Sequence, residues 1–242
     1  MRQWSSAALH NGGVPAHDAA EEVRGRDAVL RLIAEEILGV GAATVTRVAV
    51  DGVDGAGKTT FADELAATLE PSGRQVMRVS ADDFLNPRSV RYRLGRASPE
   101  GFFLDSYDYE ALHRLVLEPL ASGGSRRFKR RAFDLQADEP IEAAEETAAS
   151  DAILVLDGLF LHRDELYGLW DYSVFLDVDF AVSVARCAAR GTGWASPDVD
   201  APSNRRYVGG QQLYLSRCAP QRRATRVIDN NVLTAPAIVG SQ

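Results

Sequence analysis

The chain has 242 residues, with 27 basic and 34 acidic side chains, a formal net charge of -7, 45% hydrophobic residues and 25% charged ones. That balance is globular rather than disordered or fibrous, and the length suits one domain carrying a small lid or extension. The negative charge argues against a protein whose main business is gripping nucleic acid or an anionic membrane. No apolar run approaches the roughly 18–20 residues of a membrane span. The first residues lack the apolar core of a secretory signal. Cys187 and Cys218 have no CxxC partner and the four histidines show no HExxH spacing, so free thiols in a reducing, cytoplasmic setting are expected, with no zinc site. The only lysines are Lys58 and Lys129; every other basic residue is arginine.

In chain order, residues 1–17 carry Ser, Asn, Gly-Gly and Pro with little periodicity and read as a flexible leader. From Asp18, apolar residues recur at helical spacing through Val23, Val29, Leu30, Ile33, Ile37 and Leu38, with Asp18 a candidate cap and Gly39 and Gly41 candidate stops. The run Val45–Asp51 predicts a strand, Lys58–Glu70 a helix, Gln75–Ser80 a strand and Tyr107–Ala121 a helix. Ile153–Asp157 then predicts a buried strand, Glu165–Trp170 a short helix, Tyr172–Val178 a strand and Phe180–Arg190 a helix. Asn204–Arg217 predicts another helix and Arg226–Asp229 a last strand. Strands alternating with helices define an α/β fold: a doubly wound, mainly parallel sheet of about five strands with helices on both faces. The turn-rich stretch Gly191–Ser203 reads as a mobile lid, about residues 191–204, and Pro140–Ser150 as an acidic surface segment.

Between the first strand and the second helix lies Gly52-Val53-Asp54-Gly55-Ala56-Gly57-Lys58-Thr59, which fits G-x-x-x-x-G-K-[ST] in the strand–loop–helix setting of a P-loop NTPase. Glycines let successive N–H groups face phosphate oxygens, and the helix N-terminus adds partial positive charge. Gly52, Asp54, Gly55, Ala56, Gly57, Lys58, Thr59 and Thr60 are the expected nucleotide-binding residues. Lys58 would reach the β- and γ-phosphates and the Thr59 hydroxyl would ligate Mg²⁺. No N-K-x-D tetrapeptide for guanine occurs. The candidate Walker B strand ends Leu156-Asp157-Gly158 without a following carboxylate, which disfavours a water-activating hydrolase. After the second strand comes Ser80-Ala81-Asp82-Asp83-Phe84. A carboxylate there faces the crevice where open α/β sheets bind ligands, so it either accepts the proton of an attacking hydroxyl or merely caps a turn.

These residues resemble the uridine kinase group of P-loop kinases, which includes phosphoribulokinase, pantothenate kinase and nicotinamide riboside kinase. The likeness runs from about Val45 to Asn230 and rests on GVDGAGKTT (52–60), SADDF (80–84), FLDSYDY (103–109), RAFD (131–134), VLDGLF (155–160) and RCAAR (186–190). It implies a single P-loop kinase domain over 18–242, with ATP and Mg²⁺ as cofactors and Asp82 as catalytic base. Asp157 would serve the metal together with Thr59, at a position where the group usually has Glu. Arg186 and Arg190, four residues apart on one helix face, are implied to join Lys58 at the transferring phosphate, with Arg205 and Arg206 as rivals. The resemblance further implies Asp105 at the ribose hydroxyls and Phe133, where Tyr is common, stacking near the base.

The implied reaction is phosphorylation of the 5′-hydroxyl of uridine or cytidine. Alternatives are a nicotinamide riboside, pantothenate or sugar-phosphate kinase, or a non-catalytic nucleotide-binding sensor. The partner expected is a small-molecule acceptor, with no nucleic acid and no membrane, and self-association into a homo-oligomer is compatible with the class. The basic run Arg126–Arg131 reads as a solvated hairpin in preference to a contact for a phosphorylated acceptor.

Overall fold

A computed structural model describes residues 25–191, 193 and 195–241; the leader at 1–17 and the candidate cap Asp18 lie outside these. The architecture follows from residues that must hide on both sides of a sheet. In the run Ile153–Asp157, Ile153 and Val155 join one core while Leu154 and Leu156 join the other. Val48 and Val50 divide from Ala49 in the same way along the first strand. A period of two with apolar residues at every position describes a strand covered on both faces, as parallel strands in α/β folds are.

The elements run α1 (Arg26–Gly39), β1 (Thr46–Gly52), α2 (Lys58–Leu69), β2 (Val76–Ser80), α3 (Arg88–Arg91), α4 (Pro99–Asp105) and α5 (Tyr109–Leu112). Four two-residue strands follow, β3 (Arg127–Phe128), β4 (Phe133–Asp134), β5 (Glu139–Pro140) and β6 (Glu146–Thr147). The chain ends with β7 (Ile153–Asp157), β8 (Tyr172–Asp177), α6 (Phe180–Ala189), α7 (Arg205–Cys218), α8 (Pro220–Arg223), β9 (Arg226–Asp229) and β10 (Ala237–Ser241). The main sheet has six strands in the order β10-β9-β8-β1-β7-β2. All pairings are parallel except that of β10 with β9. Helices α1 and α2 cover one face; α4, α5 and α7 cover the other. The chain leaves β1 for the edge at β2, returns to β7, then crosses to the other side at β8. The carboxyl end of β1 therefore lies at the reversal of strand order, where such sheets bind ligands.

Several sequence expectations are corrected. The sheet has six strands because Ala237–Ser241, just after Pro236, adds an antiparallel edge. Helix α1 starts at Arg26 with Gly25 as its N-cap, well after Asp18. The expected helix at Tyr107–Ala121 is α5, capped by the Asp108 carboxylate on Ala111 N at 2.8 Å, followed by a π-helical turn over His113–Leu117. The short helix expected at 165–170 is only a 3₁₀ turn, Tyr167–Leu169. Helices α3 and α4 were not foreseen. For α4 the local signal existed: Ser98 accepts from Gly101 N at 3.0 Å and Pro99 follows it in the first turn.

The basic run does form a hairpin arm, β3 pairing antiparallel with β6. Its charges meet the acidic segment: Arg130 grips Glu146 with two hydrogen bonds at 2.6 and 2.8 Å, Arg127 pairs with Glu145 and Lys129 with Glu142. The two opposite charge runs thus neutralise each other at the surface, and Lys129 finds its partner there.

Candidate active site

Beyond the last residues of β1, the chain turns back on itself through Gly55 (φ 71°) and Gly57 (φ 92°), the latter serving as N-cap of α2. Both lie in the left-handed region that favours glycine. A Cβ on Gly55 would also stand 2.5 Å from the Ser183 carbonyl, so α6 packs directly on the loop. Lys58 folds back to donate to the Val53 carbonyl at 2.9 Å. Thr59 Oγ1 donates to Asp157 Oδ2 at 2.8 Å, while Asp157 Oδ1 accepts from Arg78 at 2.8 Å. The buried Asp157 at the end of β7 is thereby oriented toward the helix start.

A cavity of about 360 Å³ opens over this loop, walled by Asp54, Gly55, Gly57, Lys58, Thr59, Thr60, Asp82, Asp157 and Arg190, among others. The buried Gly52 and Ala56 are not among the described residues lining it: Gly52 N donates to Asp51 at 2.7 Å and the Ala56 carbonyl accepts from Asn230 at 2.7 Å. Arg186 is not among the described residues lining this cavity. Its guanidinium donates to the carbonyls of Gly55 (3.3 Å), Asn230 (3.0 Å) and Asn231 (2.7 Å), clamping the loop to the segment after β9. One helical turn on, Arg190 does face the cavity.

Under the loop lies a buried network that sequence reading missed. Asp51, fully buried at the end of β1, accepts from His162 Nδ1 (2.8 Å), from Gly52 N and from the Tyr214 hydroxyl of α7. Burial and the Asp51 charge hold the Tyr214 phenol well above its ordinary pKa.

A second cavity, of about 230 Å³, shares Asp54, Asp82 and Leu159 with the first. Asp82 sits on the 3₁₀ turn Ala81–Phe84 that follows β2, its N–H donating to Ser80 Oγ at 3.3 Å. The Tyr107 hydroxyl donates to Asp82 Oδ1 at 2.8 Å, and burial together with the Asp82 charge keeps that phenol protonated. Aromatic walls come from Tyr92, Phe102 and Tyr207, and two guanidinium residues, Arg91 and Arg206, complete the far side. Arg206 stacks over Tyr92 and Phe102 and donates to the carbonyls of Arg91 and Ser98, whereas Arg205 is exposed. Burial pushes the Asp54 carboxyl up to about 6, with Lys58 opposing and the neighbouring Asp82 charge adding to the rise.

Asp105 and Phe133 are not among the described residues lining this cavity. Asp105 is 4% exposed and both its oxygens accept from Arg93, at 2.9 and 2.7 Å; Phe133 is buried on β4. A third, more apolar cavity of about 260 Å³ adjoins the loop through Gly57, Thr60 and Arg190 and is closed by Arg26, Glu64, Leu233 and Thr234. Its walls come from four distant parts of the chain, which hid it from a linear reading.

The carboxyl-end loop, the clamped glycines and the flanking cavities belong to the P-loop kinase fold. The profile of the Phosphoribulokinase / Uridine kinase family matches residues 47–194, and the chain belongs to that family. Among solved structures it is similar to a possible uridine kinase from Bacillus stearothermophilus (TM-score 0.64, 23% identity, covering 82% of this chain and 96% of that one). It is also similar to D-glycerate 3-kinase from Cryptococcus neoformans (TM-score 0.57, 14% identity, 88% and 98% covered). A third likeness is to phosphoribulokinase from Rhodobacter spheroides (TM-score 0.53, 15% identity, 78% and 71% covered). At these identities the likeness is one of fold. No curated protein matches the sequence significantly. Among the described residues, no helix is long and apolar enough to cross a membrane.

Proposed function

We propose that the protein transfers the γ-phosphoryl group of ATP to a hydroxyl of a small molecule. The observation that carries this reading is the position of Asp82, a carboxylate on the wall between the P-loop cavity and the aromatic-walled cavity beside it. An acceptor in the second cavity would bring its hydroxyl to Asp82 with the γ-phosphate on the other side. The hydroxyl oxygen forms the new P–O bond, the bond to the β-phosphate oxygen breaks, ADP leaves, and Asp82 takes the hydroxyl proton. Lys58, the loop amides and Arg190 offset charge on the phosphoryl oxygens. Arg186 acts one step back, by holding Gly55 in place.

The oxygen donors at the helix start fit a hard divalent cation: the Thr59 hydroxyl and the Asp157 carboxylate meet at the cavity wall. These two residues would hold Mg²⁺, which neutralises phosphate charge when bound. Among the described residues no cluster of three or more His, Cys, Asp or Glu side chains is built to hold a metal, in keeping with an ion that takes much of its coordination from phosphate and water. The apolar cavity beside Gly57 suits the nucleotide base, and residues about 191–204 suit a lid.

Within this reading uridine or cytidine is the first acceptor to test, since Tyr92, Phe102 and Tyr207 offer faces for a planar base. Asp105 would join it only on release from Arg93. A second reading rests on Arg91 and Arg206, whose positive charge suits a carboxylate- or phosphate-bearing acceptor such as pantothenate, glycerate or a sugar phosphate. A cytoplasmic setting, where ATP is abundant, accompanies either acceptor. The experiment is ADP release from MgATP across uridine, cytidine, nicotinamide riboside, pantothenate, D-glycerate and ribulose 5-phosphate, with Asp82→Asn as control. Turnover that falls about 10²–10⁴-fold in the variant is expected. Equal ADP release with and without every acceptor would reject the kinase reading.

A further inference from the structure

Asp54 stands in the phosphate loop, yet its placement does not suit a phosphate contact. A carboxylate repels a triphosphate, and this one is partly buried on the wall shared by the phosphate cavity and the acceptor cavity. The metal-facing pair, Thr59 and Asp157, does not include it.

What holds Asp54 is α7. Gln211, 1% exposed, accepts from Asp54 N at 2.5 Å and donates to Asp54 Oδ2 at 3.2 Å. The same amide nitrogen donates to the Tyr207 carbonyl at 2.9 Å, which fixes which end of the side chain faces which partner. One glutamine thus grips both the backbone and the carboxylate of a single loop residue. The helix that does this also supplies Arg206 and Tyr207 to the acceptor cavity. Asp54 and Asp82 line both cavities together, and Asp82 Oδ1 is taken by the Tyr107 hydroxyl. Two carboxylates on one wall, each already oriented by a donor from elsewhere in the fold, make a receptor for two neighbouring hydroxyl groups.

We infer that Asp54, held by Gln211, is a specificity-determining residue on the acceptor side: it accepts a hydrogen bond from a second hydroxyl of the acceptor, one or two carbons from the hydroxyl that Asp82 deprotonates. The substrate class is then a polyhydroxylated small molecule rather than a simple alcohol. This rests on the kinase reading above and adds a demand that reading does not make.

The test pairs an acceptor with its analogue lacking the neighbouring hydroxyl, uridine with 3′-deoxyuridine and D-glycerate with 3-hydroxypropanoate, in the wild type, Asp54→Asn and Gln211→Ala. The wild type should lose about 10–100-fold in kcat/KM on the deoxy analogue, the worth of one hydrogen bond to a charged group. In Asp54→Asn that ratio should shrink to a few-fold, because the parent acceptor suffers and the analogue does not. KM for the parent acceptor should rise while KM for MgATP stays within about twofold. Gln211→Ala, which leaves the carboxylate in place but loose, should fall between the two. An unchanged ratio in Asp54→Asn, or a rise confined to the KM of MgATP, overturns the assignment. No turnover of any acceptor by the wild type overturns instead the kinase reading, and this inference with it.

Discussion

The Tyr107 hydroxyl and the Asp82 carboxylate are joined by a hydrogen bond of 2.8 Å. They come from different parts of the excursion between β2 and β7, Asp82 from the turn after β2 and Tyr107 from the stretch between α4 and α5. Asp82 is open to solvent while Tyr107 is buried against Tyr109 and Phe160, so the phenol is the fixed partner and the carboxylate the oriented one. Tyr107→Phe keeps the ring packing and removes only the donor. Its kcat should fall about 10–100-fold, the cost of one hydrogen bond to a charged group, while MgATP affinity is unchanged. Single-turnover kinetics with the best acceptor checks this, and an unaltered chemical step would show that Tyr107 does not orient Asp82.

Arg186 and Arg190 share a helix face yet meet different partners, and their variants should separate accordingly. Arg186→Ala strands three carbonyls that hold Gly55 and the 230–231 segment together, so thermal stability and MgATP affinity should both drop. Arg190→Ala, at an exposed site on the phosphate cavity, should leave the melting temperature nearly unchanged and lower kcat about 10–100-fold. Melting curves with and without MgATP, read beside steady-state rates, distinguish the two. A loss of kcat alone in Arg186→Ala would contradict the clamp.

How far this division was legible in the sequence depends on the range of the contacts. The P-loop, β1 and β7 are local patterns: glycine spacing, a lysine kept in an arginine-rich chain, and apolar runs of strand length. The fold class follows from their alternation. What two arginines four residues apart will touch is decided by Asn230 and Asn231, some forty residues away, and no periodicity carries that. The same holds for Asp105, whose partner Arg93 lies in a stretch without apolar rhythm, and for Gln211, which reaches Asp54 only because α7 crosses behind the loop. Strand β10 was missed for a related cause: five residues at a sheet edge are specified by their neighbour β9, not by their own pattern.

Asp54 sets a pH dependence of stability. Its pKa in the folded protein is about 6 against an ordinary value of 3.8, because burial disfavours the charge. Between those values the folded chain holds a proton that the unfolded chain has lost. The stabilising contribution is therefore complete below about pH 4 and is lost as pH rises through 6. Asp54→Asn cannot ionise and keeps an oxygen for Gln211. Without ligand, the variant should exceed the wild type in unfolding free energy at pH 8, by at most about 3 kcal/mol, and the gap should close toward pH 4. A gap that is constant from pH 4 to 8 would place the titration elsewhere.

Asp51 offers the last test, on the base of the loop. Its carboxylate is fully buried and shared among Gly52 N, His162 Nδ1 and the Tyr214 hydroxyl, so one residue ties β1, the turn after β7 and α7 together. A buried carboxylate that loses a donor keeps its desolvation cost without the compensating bond. Tyr214→Phe leaves the ring contacts with Phe160 and Phe103 intact and should lower stability in urea by about 1–3 kcal/mol. Because α7 also carries Gln211, the loosened helix should raise the acceptor KM as well as lower the urea midpoint. The exposed Tyr167→Phe serves as control and should move neither quantity. If Tyr214→Phe matches that control in urea, Asp51 is satisfied without its hydroxyl and the link from β1 to α7 is carried by packing alone.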